Sequence, residues 1–127
     1  MKYGEVWLVN FEPQVGQEIR KTRPAIIVNH DSVGKLPLKI VVPLTDALKT
    51  KQEWMVELKP SQSNGLEKES FADCFQIKSL SEQRLIKKIG ILNEDEIFYL
   101  SNRGTIPEVR ITKDDFQKIS QLEDSIP

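Results

Sequence analysis

The chain has 127 residues, a formal net charge of −1, 39% hydrophobic and 29% charged residues. That length suits one domain with its own core, and the composition excludes a disordered tail. Apolar runs as short as AIIV and IVVPL exclude a membrane-spanning helix, while a pI near 5.9 excludes a globally basic nucleic-acid binder.

The first residues, MKYGEVWLVNF, carry no apolar block with a small-residue cleavage site, so no secretory signal is expected. One cysteine, Cys74, has no internal disulfide partner, which fits a reducing compartment and a cytoplasmic protein. GEVWLVNF alternates as a strand does, with Val6 and Leu8 on one face and Glu5, Trp7 and Val9 on the other. EPQVGQEIRKT has no apolar period and reads as a functional loop of about a dozen residues. RPAIIVNH and LKIVVPLT are nearly continuous β-branched runs, the pattern of strands buried on both faces. Pro24 and Pro43, lacking an N–H, are expected at strand starts, edges or bulges.

EWMVELKP is a further strand, and Asn64-Gly65 in the following SQSNGLEKES signals a hairpin turn. SFADCFQIKSL reads as one long strand, SEQRL as a helical turn capped by Ser81, and IKKIGIL as another strand. Asn93 followed by Glu96 forms a capping-box pattern that opens a helix through EDEIFYLSNR. Gly104 and Pro107 break the chain, and KDDFQKISQLED, capped by Thr112, reads as a second short helix. The expected fold is mainly β with terminal helices, a small partly open barrel over residues 1–103. Residues 104–127 are expected to form an extension whose helix packs on the same domain.

The chemical inventory narrows the function. One histidine and one cysteine make no typical zinc set, and no phosphate-binding glycine loop is present, so neither metal nor cofactor is expected. Cys74 and His30 form a conceivable nucleophile pair, but a thiol between strand residues reads better as buried and inert. Acidic residues gather late (Glu94, Asp95, Glu96, Asp114, Asp115, Glu123, Asp124), leaving the first half relatively basic. There, Lys21 and Arg23 stand at the entrance to the most apolar strand. Arg23 either closes an ion pair with Glu18 or Asp46, or presents its planar fork to an anion from a rigid scaffold. Thr45, ending IVVPLT, either caps its strand or adds a hydroxyl to such a site.

GEVWLVNFEPQVGQE, TRPAIIV, IVVPLT, GLEKESFADCFQIKSL and RLIKKIGIL, in that order, resemble the MazF/PemK toxins, ribosome-independent mRNA endoribonucleases. The resemblance covers roughly residues 3–100. It implies an SH3-like barrel, a homodimer, and neutralisation by a cognate antitoxin protein. It further implies metal-independent cleavage of single-stranded RNA, the 2′-hydroxyl attacking the adjacent phosphate to leave a 2′,3′-cyclic phosphate. Arg23 and Thr45 match the family's catalytic positions, and Glu18 matches an acidic residue of the preceding loop. Arginine is a poor base at neutral pH, so Glu18 is the expected proton acceptor and Arg23 the electrostatic clamp. Arg20 and Lys21, standing where relatives often carry small residues, extend a cationic edge toward RNA. Gln76 matches a glutamine usually preceded by an acid, whereas Phe75 precedes it here. Trp54 and Phe71 are candidate stacking platforms, with core packing the ordinary reading of strand aromatics. The runner-up is a non-catalytic toxin-like module, or a gyrase poison of the related CcdB type, although the Trp-Gly-Ile tail of that type is absent.

Overall fold

A computed structural model describes residues 2–11, 22–29, 36–47 and 50–103. Seven strands are formed: β1 (Glu5–Asn10), β2 (Thr22–Ile27), β3 (Leu38–Asp46), β4 (Met55–Leu58), β5 (Ser70–Asp73), β6 (Lys78–Ser81) and β7 (Leu85–Ile91). One helix, α1 (Glu94–Arg103), follows. All pairings are antiparallel, in the order β4-β5-β3-β2-β1-β7 with β6 also on β3. β4 and β7 end the path, so the sheet is open, as expected of a partly open barrel. The expected helix at 113–124, and the extension that carries it, lie outside the described residues.

β3 organises the sheet. Its first residues pair with β6 (Leu38↔Ser81 to Val41↔Lys78), and its last with β5 (Leu44↔Ala72 to Asp46↔Ser70). On the opposite side it pairs with β2 from Val41 to Pro43. Pro43 therefore sits where β6 has ended and β5 has not begun, a place where a missing N–H costs the ladder little.

The apolar runs are buried on both faces from Ala25 to Ile27 and from Val41 to Leu44. Val6, Ile26, Val42, Leu44, Val56 and Ala72 build one core cluster, closed by Leu92 and Leu100. Val9, Ala25, Ile27, Val41 and Leu80 build a second, with Trp7 packed against it. Ala25, Ile26 and Ile27 are successive and all fully buried, which only a strand sandwiched between two cores allows. Lys39 is also buried, and its Nζ donates to the Leu36 carbonyl at 2.8 Å and lies 3.9 Å from Glu82 Oε2.

Two local expectations change. SFADCFQIKSL is not one strand: Asp73 caps a 3-10 turn over Cys74–Gln76, its carboxylate accepting from the Phe75 N–H at 3.2 Å. An aspartate's local capping bond here outcompetes strand propensity. Asn64-Gly65 does not make a tight hairpin either, since residues 59–69 all lie between β4 and β5. The other local signals hold: Ser81 accepts from the Gln83 N–H at the 3-10 turn Glu82–Arg84. Asn93 and Glu96 exchange reciprocal bonds of 2.8 and 2.9 Å, a complete capping box. No helix among the described residues is long and apolar enough to cross a membrane.

Glu5 is a buried charge made tolerable by partners. Burial pushes its carboxyl up, but the bond from Trp7 Nε1 (2.9 Å), a backbone donor at Lys2 and the Lys88 ammonium (3.3 Å) outweigh it. The carboxyl therefore lies below its ordinary value of 4.5, and its stabilising contribution is complete above that pH and lost as pH falls through the lower folded value. Glu5→Gln should melt below wild type at neutral pH, with the gap closing in acid; a melting series against pH checks this.

Candidate functional site

Ala25 pairs with Pro43 across β2 and β3. Continuing that register by two residues on each strand sets Arg23 across from Thr45, on one face of the sheet. The same row runs on through Phe71 and Glu57 on one side, by the pairs Thr45↔Phe71 and Glu57↔Phe71. On the other side it reaches Val9, the partner of Arg23, and then Leu85. On that continued register a guanidinium, a hydroxyl and a carboxylate fall in one row across adjacent strands, on backbone fixed by the two cores.

Arg23 is half-buried. Among the described residues no carboxylate lies within ion-pair distance of it, and Asp46, one of its two expected alternatives, holds Lys68 at 3.0 Å. The other alternative, Glu18, lies outside the described residues, as do Arg20 and Lys21. Thr45 is half-buried near the end of β3.

Gln76 is exposed, and its Nε2 donates to Asp73 Oδ2 at 3.0 Å. Asp73 is itself buried, so one carboxylate both caps the turn and fixes the glutamine. The sequence shows Asp73 three residues before the glutamine, but that its carboxylate holds the amide becomes visible only when the chain turns back at residues 74–76. The spacing Asp-x-x-Gln carried the signal. Glu57 joins the Arg23 row only because β4 pairs with β5, which neither strand's sequence shows alone.

Cys74 is no nucleophile. Burial, and secondly the charge of Asp73, push its thiol up to about 11, so it is protonated at neutral pH. His30, its conceivable partner, lies outside the described residues. Among those residues, no group of three His, Cys, Asp or Glu side chains could hold a metal ion.

Of the two candidate stacking residues, Phe71 is buried, and Trp54 is half-buried at the turn before β4. Trp54 meets an unexpected partner, Phe75, with ring centroids 5.3 Å apart and planes tilted by 47°.

Comparison with known proteins finds relatives of this chain. Residues 2–103 match the family described as PemK-like, MazF-like toxin of type II toxin-antitoxin system. An endoribonuclease MazF of Staphylococcus epidermidis is 31% identical over 104 residues, spanning 80% of this chain and 86% of the relative. Endoribonuclease MazF9 of Mycobacterium tuberculosis is 29% identical over 106 residues, spanning 79% and 89%. Among solved structures, MazF of Deinococcus radiodurans superposes with a TM-score of 0.66 at 20% identity, covering 82% of this chain and 92% of that one. A mycobacterial endoribonuclease in complex with its cognate antitoxin gives 0.59 at 16% identity, covering 81% and 87%. At those identities the structural likeness carries the fold alone.

Proposed function

The chain belongs to the PemK-like, MazF-like toxins of type II toxin-antitoxin systems, and on that premise we propose that it is an endoribonuclease that cuts single-stranded mRNA without a metal ion. The observation that carries the reading is the β2–β3 register, paired as far as Ala25↔Pro43, whose continuation would turn Arg23 and Thr45 to one face. RNA supplies its own nucleophile. The 2′-oxygen forms a bond to phosphorus while the bond to the 5′-oxygen breaks, yielding a 2′,3′-cyclic phosphate and a 5′-hydroxyl. One proton must leave the 2′-hydroxyl and another must reach the departing 5′-oxygen.

Arg23 meets the negative charge that builds on the non-bridging oxygens, and its freedom from a described carboxylate leaves its donors for that task. Thr45 orients the phosphate through its hydroxyl. Glu18 takes the 2′-proton, and Arg20 and Lys21 bind flanking phosphates. Gln76, steadied by Asp73, reads a base edge or sugar.

The relatives solved with a cognate antitoxin support a protein antitoxin as partner for this chain, and a homodimer is the working form proposed with it. Exposed Leu36, Leu38 and Ile40 support both, because such side chains gain from burial against a partner. A single buried cysteine and an mRNA substrate support a cytoplasmic location.

Incubating the purified protein with single-stranded RNA in excess EDTA tests the reading. Cleavage to fragments with 2′,3′-cyclic phosphate and 5′-hydroxyl ends is expected. Abolition by EDTA, or 5′-phosphate ends, would overturn the mechanism.

A further inference from the structure

We propose that Phe75 and Trp54 form a stacking platform for one unpaired RNA base beside the scissile phosphate. The inference rests on the endoribonuclease reading above and adds a subsite to it. Phe75 is 58% exposed, although it touches another aromatic ring and sits one residue from a buried cysteine. A phenylalanine serving only the core would be turned in, as Phe71 is at 7% exposure. Instead the tilted contact with Trp54 props one ring while its own surface stays open to solvent.

Its location fits an RNA base. The 3-10 turn fixes the backbone of Phe75 through the Asp73 carboxylate, which accepts the Phe75 N–H and the Gln76 amide together. The stacking surface and the hydrogen-bonding amide are therefore adjacent residues on one rigid turn. Thr45 and Asp73 lie on the same sheet face, one strand and two residues apart, which is roughly 8 Å. Phe75 follows two residues beyond Asp73, so a base stacked on it would be attached within a few nucleotides of a phosphate held at Thr45. An apolar ring at position 75 also adds no negative charge to repel the RNA backbone, as a carboxylate there would. Splayed bases of single-stranded RNA are bound in this way, by a π-face for stacking and polar groups for the edge.

The test uses a short RNA containing a mapped cleavage site, and the same RNA made abasic at each flanking nucleotide in turn. Phe75→Ala and Phe75→Leu should raise KM and lower kcat/KM by roughly 10- to 100-fold, while kcat moves less than about threefold. Phe75→Tyr, which keeps the ring, should stay near wild type. At one flanking position the abasic RNA should cost wild type a similar factor and cost Phe75→Ala nothing more, the non-additivity of a shared contact. Phe75→Ala within about twofold of wild type, Phe75→Leu equal to wild type, or additive losses at every position would each overturn the platform. Failure of wild type to cut any RNA would overturn the endoribonuclease reading and the platform together, whereas wild-type cleavage untouched by Phe75→Ala overturns the platform alone.

Discussion

Replacing Arg23 by alanine should lower the rate constant for RNA cleavage by about 100- to 1,000-fold and leave the melting temperature nearly unchanged. The two halves of that expectation have different causes. The activity loss follows from removing the group aimed at the charge that develops on the phosphate, which acts in the transition state and little in the ground state. The intact stability follows from the strand. Arg23 belongs to β2, whose hold on the sheet comes from fully buried Ala25, Ile26 and Ile27 rather than from the half-buried arginine. No described carboxylate is left orphaned when the guanidinium goes. Arg23→Lys should recover only part of the activity, because a point charge cannot bridge two phosphate oxygens as a planar fork does. Single-turnover cleavage at saturating enzyme, with melting curves on the same samples, checks both halves. An alanine variant within about tenfold of wild type would remove Arg23 from the mechanism.

The sequence shows where the candidate site's Arg23 and Thr45 lie better than what surrounds them, for a physical reason. Arg23 and Thr45 flank the longest apolar runs, so their place at the ends of buried strands was legible from the runs alone. That the β2–β3 pairing, continued beyond Ala25↔Pro43, turns them to one face was not, because register is a property of two strands and each strand gives only its own period. The capping box at Asn93 and Glu96 was legible because both partners lie within one helical turn. The break after Asp73 was missed because SFADCFQIKSL is rich in strand formers throughout, and the deciding bond is one side chain closing on the N–H two residues ahead. Phe75 lies in that same break, on a turn that leaves it facing solvent. The Asn64-Gly65 signal stands in the connection of a real hairpin, β4 paired with β5, but that connection spans residues 59–69 rather than a two-residue turn. Its glycine has a φ of +70°, but the turn is used to pack a loop against β7.

That loop carries the second large expectation: Gly65→Ala should melt roughly 10–15 °C below wild type. A Cβ at position 65 would stand 1.9 Å from the Ile89 carbonyl oxygen and 2.7 Å from its carbon, both backbone atoms that no rotamer change can move aside. The positive φ adds about 1–2 kcal/mol for any residue with a side chain. The partner segment is equally tight, for a Cβ at Gly90 would meet Asn64 backbone at 2.3 Å. The two segments are also bonded, Ile91 N–H donating to the Ser63 carbonyl at 2.8 Å. Between them Asn64 is wholly buried, its Oδ1 accepting from Ser61 and Leu66 and its Nδ2 donating to Lys59 and to Glu96 Oε2. Glu96 in turn completes the helix cap through its other oxygen. Forcing the loop away from β7 therefore strips partners from a buried amide and loosens α1 at its first turn, costs that add to the clash. Ser63→Ala, which removes only an exposed hydroxyl contact with Ser61, should stay within about 0.5 kcal/mol of wild type and serves as the control. Because the loop joins β4 to β5, Gly65→Ala should also lower cleavage, by disturbing the strands that hold Trp54 and Asp73 in place. A variant that melts within about 2 °C of wild type would show that the loop does not seal against β7 as closely as the two glycines require.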